Sequence, residues 1–330
     1  MIGRIVLLAI TGISLYFVFP SLVEVFGSWD RLVDLQPWWL LPMVLLRAAS
    51  FAALCDLQRI CLRTSRWGPV VSSQLVGNAF SRIVPGGATA GAAMQYPMLT
   101  AAGIPAERVA SALAATNVIT FSTLLALPVL SLPAILAGAP VDPGLENAAW
   151  LGAAGFVLMA LGAVVLTAFD RPLELVGRLA QGARNKLLRN RPPLRGLPER
   201  LLHERDQTLA AIGGRWWRAL LTSLGWWLFD YGSLLLALAA IGADPEPSLV
   251  LLAYTGASVL SMIPLTPGGL GFVEAGLTGL LALAGINAGQ AALATLAYRL
   301  VSYWLPLPAG AIAALLARRR EPPAATVEPV

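Results

Sequence analysis

Residues 248–284, SLVLLAYTGASVLSMIPLTPGGLGFVEAGLTGLLALA, decide the fold that we predict for this chain. This apolar stretch has one charged residue, Glu274, and Pro267-Gly268-Gly269 interrupts it. Proline and glycine break the helical hydrogen-bond ladder, and unpaired backbone inside a membrane is tolerated only against protein or a wet cavity. The pattern therefore predicts two apolar half-helices joined by a turn within the bilayer.

A second stretch of the same kind covers residues 70–102 and is interrupted by Pro85-Gly86-Gly87. Pro267 follows Pro85 by 182 residues, and the Ala-Gly-Ile turn at Gly285 follows the one at Gly103 by the same 182 residues. The equal spacing predicts an internal repeat. We expect each Pro-Gly-Gly stretch to enter and leave the membrane on one side, as a re-entrant hairpin or a pair of half-helices.

Other apolar runs reach the roughly 20 residues that cross a bilayer as a helix. Only 12% of the residues are charged, which is about half the fraction in soluble domains. We predict an all-α membrane protein with about six full transmembrane helices plus two re-entrant Pro-Gly-Gly hairpins, or eight helices if the hairpins span. The predicted full spans are Ile5–Phe26 (an uncleaved first helix), Trp38–Leu57, Arg108–Leu136, Ala148–Phe169, Ala219–Ile241 and Gln290–Ala317.

Basic residues predict the orientation, because Lys and Arg concentrate in cytoplasmic loops. Residues 170–218 carry eleven basic and five acidic side chains. We expect this segment and both termini to face the cytoplasm of a bacterial inner membrane. Pro172–Leu188 has the leucine spacing of a helix that lies on the membrane surface. Further basic positions predicted on this side are Arg59, Arg63, Arg66 and Arg318–Arg320.

The predicted domain organisation is one polytopic membrane domain over residues 1–317 and a disordered tail over 318–330. The repeat halves cover about 38–169 and 219–317, on either side of the cytoplasmic basic segment 170–218. Three full crossings separate matching points of the halves, so we expect the second copy to be inverted. Inverted repeats with broken helices at corresponding places are typical of alternating-access transporters, whose site lies near the midplane.

Five charged residues fall well inside the apolar stretches, away from their ends: Arg47, Arg82, Asp230, Glu274 and Arg299. Each costs roughly 2.5–3.5 kcal/mol at the centre of a bilayer, so each needs a partner or a ligand. One interpretation is structural ion pairing of Arg47 or Arg299 with Asp230 or Glu274. The other is functional, because three arginines and two carboxylates leave one positive charge, and the arginine fork binds phosphate bidentately.

Neighbouring residues complete the candidate site. Asn78 lies one turn before Arg82 on the same helix face, where it either helps to hold a head group or packs between helices. Tyr298 either lines the cavity or packs between helices. Arg47, Asp230 and Glu274 are candidates for ion coupling or ion pairing. The candidate substrate-binding residues are Asn78, Arg82, Pro85, Gly86, Gly87, Pro267, Gly268, Gly269, Glu274, Tyr298 and Arg299.

The chain has no pattern that predicts a catalytic or metal site. Cys55 and Cys61 lack metal-ligand spacing, and His203, the one histidine, has no Cys, Asp or Glu arrangement around it that suggests a metal site. We therefore assign no catalytic residue, no metal ligand and no cofactor. The basic residues are distributed as topology signals, which argues against a nucleic-acid partner.

Ile263–Glu274, followed by Tyr298-Arg299-Leu300 and Tyr303-Trp304, resembles the family built around the transmembrane domain of lysylphosphatidylglycerol synthase, the flippase-like membrane proteins. Asn78–Gly91 resembles that family's earlier motif, so the resemblance covers nearly the whole chain. It implies an integral membrane domain that moves a lipid, such as an aminoacylated phosphatidylglycerol, between leaflets. Related domains occur beside glycosyltransferases that act on polyprenyl-phosphate lipids.

The chain departs from the family pattern in its first half. Ala88, Thr89 and Ala90 stand where a Glu and an Arg are expected soon after Pro-Gly, and Asn117 occupies the repeat position of Arg299. The two halves are thus chemically unequal. Residues 1–330 include no soluble aminoacyl-transfer domain, so we do not expect synthase activity.

The expected function is flippase-like transport of an anionic or zwitterionic (glyco)phospholipid or polyprenyl-phosphate lipid, the membrane lipid being the substrate. The sequence has no P-loop, so an ion or lipid gradient would drive transport, with Asp230 and Glu274 as candidate proton carriers. One alternative is an accessory subunit for a lipid-linked glycosyltransferase or synthase, docked through the basic segment. The other is an intramembrane lipid-modifying enzyme. The oligomeric state stays open.

Overall fold

The computed structural model of the protein describes residues 37–84, 87–133, 143–187, 193, 195–212, 216–262 and 266–318. These residues form helices and no strand, which confirms the all-α prediction. The α-helices of the described residues are α1 (Leu40–Leu62), α2 (Trp67–Ile83), α3 (Gly87–Ala101), α4 (Ala106–Ala126), α5 (Pro143–Ala168), α6 (Asp170–Leu187), α7 (Leu197–Ile212), α8 (Trp216–Ala240), α9 (Pro247–Leu260), α10 (Phe272–Leu283), α11 (Ala288–Arg299) and α12 (Pro306–Arg318).

Four described helical segments are long and apolar enough to cross a membrane. They are α1, α4 with its 3-10 extension to Ser131, α8, and the continuous segment Ala288–Leu316 made by α11 and α12. They coincide with four of the six spans predicted from the sequence. Ile5–Phe26 lies outside the described residues, as does the predicted tail after Arg318, the last residue of α12.

The remaining predicted span and most of the described part of the basic segment are also helical. α5 covers the predicted span Ala148–Phe169 except for its last residue. α6 coincides with the predicted surface helix, and Leu175, Val176 and Leu179 are exposed along one of its faces. α7 packs against α6, and Arg205 of α7 forms an ion pair with Asp170 at 2.6 Å.

The arms of each Pro-Gly-Gly stretch are short helices that pack against each other, α2 with α3 and α9 with α10. The second helix of each stretch, α3 or α10, ends in a turn of the same kind. Gly103 has φ +86° and Gly285 has φ +88°, a left-handed conformation that favours glycine. The next amide in each turn, that of Ile104 or Ile286, donates to the carbonyl five residues earlier at 3.2 Å.

The helices α1–α4 correspond to α8–α11 at the 182-residue offset found in the sequence. α4 begins at Ala106 and α11 at Ala288, while α3 ends at Ala101 and α10 at Leu283. Packing within the halves corresponds too. α1 contacts α2 and α4 as α8 contacts α9 and α11, and α3 contacts α4 as α10 contacts α11.

The two halves are joined mainly by α1 against α8 and by α2 against α12. Polar side chains bond across the helices, as is common where little hydrophobic force acts between membrane helices. Ser50 of α1 donates to the carbonyl of Trp226 at 2.8 Å, and the Trp227 indole donates to the carbonyl of Thr120 at 2.9 Å. Gly310 of α12 lies so close to Ala79 of α2 that any side chain would overlap it.

A π-helical segment, Leu300–Trp304, separates α11 from α12. The amide of Leu305 donates to the carbonyl of Leu300 at 3.1 Å, the i to i+5 bond of this wide turn. The repeat-equivalent positions, 118–122, are regular α-helix within α4. Arg299 directly precedes this turn and Tyr303 lies within it, so the irregular backbone lies next to the candidate site.

Candidate functional site

The second Pro-Gly-Gly turn lies against the C-terminal end of α2. The Tyr303 hydroxyl donates to the carbonyl of Arg82 at 3.1 Å, and the Arg299 guanidinium donates to the carbonyl of Gly268 at 3.4 Å. A Cβ placed on Gly268 would lie 2.7 Å from the Arg82 carbonyl oxygen. Pro85 and Gly86 lie outside the described residues, and Gly87 begins α3.

Intramembrane charges from both halves meet in one cavity of about 170 Å³. We call it the cationic cavity because three arginines and only one carboxylate line it. Glu274 does not line the cavity itself, but it accepts a hydrogen bond from Arg299, which does. The charged and hydroxyl-bearing side chains that line the cationic cavity are Arg47, Arg82, Asp230, Tyr254, Ser258, Ser261, Tyr298, Arg299 and Ser302.

Arg47 of α1 and Asp230 of α8 form a buried ion pair. The other carboxylate oxygen of Asp230 accepts hydrogen bonds from Tyr254 at 2.9 Å and Tyr298 at 2.7 Å. The Arg47 guanidinium also lies over the Trp226 ring, 5.1 Å from its centroid. Both oxygens of Asp230 are thus occupied, so this carboxylate fixes α1, α9 and α11 against α8.

Arg299 and Glu274 form the second buried pair, at 2.6 Å between Nε and Oε1. The other oxygen of Glu274, Oε2, is buried and accepts no hydrogen bond from any described residue. A buried acceptor without a donor is unfavourable by about 1–3 kcal/mol. This oxygen can be satisfied by a proton or by a donor on a bound molecule.

Arg82 is the cation that remains. Its Nε atom donates a hydrogen bond to Oδ1 of Asn78 at 2.9 Å. The guanidinium groups of Arg82 and Arg299 both lie over the Tyr303 ring, at 5.0 Å and 4.4 Å from the ring centroid. Within the described ranges no carboxylate lies within ion-pair distance of Arg82. The cluster therefore has one positive charge more than it has negative charges.

Five of the charged and hydroxyl-bearing residues that line the cationic cavity were predicted from the sequence: Arg47, Arg82, Asp230, Tyr298 and Arg299. Asn78 orients Arg82 and Tyr298 bonds Asp230, so both side chains already have partners inside the protein. Tyr254 was not predicted, although it is the one tyrosine in Ser248–Ala284 and so stands out among apolar neighbours. In the described part of the chain no group of three His, Cys, Asp or Glu side chains could hold a metal ion.

Gly268→Ala is expected to destabilise the protein by about 1–3 kcal/mol, the cost of a left-handed conformation for a non-glycine residue. Gly268 has φ +60°, and the added Cβ would lie 2.5 Å from the Tyr303 hydroxyl. Thermal unfolding in detergent measures the effect. Gly279→Ala is the matched control, because Gly279 lies within α10 and a Cβ there meets open space. Equal unfolding temperatures for both variants would contradict the tight turn.

Comparison with known proteins agrees with this architecture. The family described as the lysylphosphatidylglycerol synthase TM region matches residues 4–310. Two UPF0104 membrane proteins of Methanothermobacter thermautotrophicus are similar over shorter segments, at 38% identity over 28% of this chain and 32% over 24%. Those matches span about a quarter of each relative, 26% and 23% of their lengths. With a family match that covers nearly all of its length, this chain belongs to the lysylphosphatidylglycerol synthase transmembrane-region family of membrane proteins.

Proposed function

We propose that this protein binds the phosphate of an anionic or zwitterionic lipid head group in the cationic cavity and moves the lipid between leaflets. The lipid is a (glyco)phospholipid or a polyprenyl-phosphate lipid. The observation that carries the proposal is the charge excess: Arg47 and Arg299 each have a carboxylate partner, whereas Arg82 has none among the described residues. A bound phosphate supplies the missing negative charge and accepts two parallel hydrogen bonds from a guanidinium.

Glu274 extends this chemistry to a zwitterionic head group. Its Oε2 atom is buried without a donor beside Arg299. The ammonium of an aminoacylated or ethanolamine head group is a donor of the right kind. With an anionic substrate a proton would occupy the same oxygen, which makes Glu274 a better candidate proton carrier than Asp230, whose two oxygens already have partners.

The repeated helices support transport over simple binding. Helices α1–α4 and α8–α11 correspond at one offset, and their broken stretches come together at Arg82 and Gly268. If the second copy is inverted, the two halves can rock around a fixed site and open it to each leaflet in turn. The transport proposal therefore depends on the orientation of the halves, which a labelling experiment determines.

The labelling experiment uses a background in which Cys55 and Cys61 are replaced by alanine. Single cysteines at Ser65 and Gln207 are expected to react with a membrane-impermeant maleimide only from the cytoplasm, because their segments are rich in basic residues. A cysteine at Gly144 is expected to react only from outside. Ser65 and Gln207 reacting from opposite sides would overturn the inverted arrangement.

Transport itself is tested with purified protein in liposomes. Fluorescent phosphatidylglycerol in the inner leaflet should become accessible to an external quencher at least about tenfold faster than a glucosylated diacylglycerol, which has no phosphate for the arginines. Protein-free liposomes give the background rate. Equal rates for both lipids would contradict a phosphate-binding site in the cationic cavity. Movement of neither lipid would favour the accessory-subunit or enzyme alternatives over a transporter.

A further inference from the structure

A second cavity, of about 190 Å³, lies beside the cationic cavity and is lined mainly by residues of the first half of the chain. None of the described side chains that line it is charged, yet many are polar. We call it the amide cavity after its glutamine and asparagine side chains. Its principal polar lining residues are Gln58, Gln74, Asn78, Gln95, Thr116 and Asn117.

The three glutamines form a buried chain of amides. Gln58 donates to Gln95 at 2.6 Å, and Gln95 donates to Gln74 at 3.4 Å. Gln58 is fully buried, and its own oxygen has no hydrogen-bond partner among the described residues. Buried amides need both donors and acceptors, and a hydroxyl group supplies both at once. The lining thus suits hydroxyl groups, whereas it has no charge for a second phosphate.

The amide cavity is the repeat counterpart of the cationic cavity. At the 182-residue offset, five residues that line one cavity correspond to five that line the other. Arginine and tyrosine in the second half are replaced by asparagine and threonine in the first. The corresponding pairs are Val273 with Gly91, Leu277 with Gln95, Tyr298 with Thr116, Arg299 with Asn117, and Ser302 with Thr120.

The two cavities adjoin. Trp226 and Trp227 line both of them, and Asn78, which lines the amide cavity, accepts the hydrogen bond from Arg82 of the cationic cavity. Each cavity alone is smaller than the roughly 300 Å³ at which small-molecule sites begin, and together they reach that range. One extended head group can therefore occupy both.

We infer that the amide cavity binds a sugar or polyol carried on the phosphate that Arg82 holds. The substrate class is then a phospholipid with a polyhydroxylated head group. This inference rests on the proposed phosphate site and adds to it the chemistry of the group beyond the phosphate. In the first half of the repeat, neutral amides provide selectivity where the second half provides charge.

The test compares two short-chain lipids of equal charge, dioctanoyl phosphatidylinositol and dioctanoyl phosphatidylglycerol, by calorimetric titration of the full chain in detergent. Wild-type protein is expected to bind phosphatidylinositol about tenfold more tightly, the effect of one or two net hydrogen bonds. Gln95→Leu and Asn117→Leu should bring the ratio of the two dissociation constants towards one. Asn117 lines the cavity but is exposed and takes no part in the bonds among the three glutamines, so its replacement leaves the buried amide chain in place.

Two further variants separate the inference from the proposal beneath it. Arg82→Gln should weaken the binding of both lipids by a similar factor. Gln290→Leu, at the start of α11 and outside the cavity lining, should leave the ratio of the two dissociation constants unchanged. A wild-type ratio near one overturns the inference while leaving phosphate binding and transport standing. A tenfold ratio in a protein that moves no lipid overturns transport and retains the polyol site. Binding of neither lipid overturns both.

Discussion

Arg82→Gln is expected to lower the rate of lipid movement at least about 100-fold, because two charge-assisted hydrogen bonds to a phosphate, at roughly 1.5–3 kcal/mol each, are lost. The fold should survive. Arg82 has no carboxylate partner among the described residues, so its removal leaves no buried carboxylate uncompensated. Among the described residues, the substitution removes the hydrogen bond to Asn78 and the contact with the Tyr303 ring. The liposome assay with phosphatidylglycerol gives the rate, and thermal unfolding in detergent gives the stability.

Two companion variants make this result specific. Arg82→Lys keeps the charge but lacks the planar fork, so we expect an intermediate rate. Arg108→Gln removes an exposed arginine from the first turns of α4, outside the cationic cavity, and should behave as wild type. A wild-type rate in Arg82→Gln would show that the excess charge has no part in head-group binding.

Asp230→Ala is expected to destabilise the protein by about 3–5 kcal/mol, the usual effect of breaking a buried ion pair. The substitution leaves Arg47 buried without a counter-charge and deprives the hydroxyls of Tyr254 and Tyr298 of their acceptor. Protein abundance in membranes and the unfolding temperature should both fall sharply. Asp244→Ala, in the exposed turn after α8, is the matched control and should change neither.

The double variant Arg47→Met with Asp230→Leu distinguishes the effect of an uncompensated buried charge from the effect of lost side-chain packing. Replacing a whole buried pair by apolar residues of similar volume is often neutral for stability. We therefore expect the double variant to recover the part of the loss that comes from the uncompensated Arg47 charge, while the hydroxyls of Tyr254 and Tyr298 still lack their acceptor. Additive losses from the two positions would show that Arg47 and Asp230 are not energetically coupled.

The sequence predicted the spans well because hydrophobic length is a local property. α1, α8 and Ala288–Leu316 lie close to the runs beginning at Trp38, Ala219 and Gln290. The partners of the charges are not local. The sequence left open whether Arg47 or Arg299 pairs with Asp230, and the choice depends on the packing of α1 against α8, which joins residues 183 positions apart. Contacts of that separation are not encoded in any window of the sequence.

The amide cavity could have been found in part. Gln74 and Gln95 interrupt the same apolar stretch as Arg82, and polar residues within a membrane are functional candidates even when they are uncharged. The residues predicted from the sequence were the five intramembrane charges and neighbours such as Asn78 and Tyr298, and the glutamines were not among them. The correspondence of five lining positions became visible once the structure placed α3, α4 and α8 around one space.

The π-helical turn at Leu300–Trp304 sets the angular phase between the two ends of one continuous helical segment. One extra residue in a turn rotates everything beyond it by about 100° relative to a regular α-helix. Arg299 before the turn faces the cationic cavity, and Gly310 beyond it faces Ala79 of α2. The added rotation lies between these two contacts. Since positions 118–122 of the first half have none, the two halves differ in helical pitch as well as in charge.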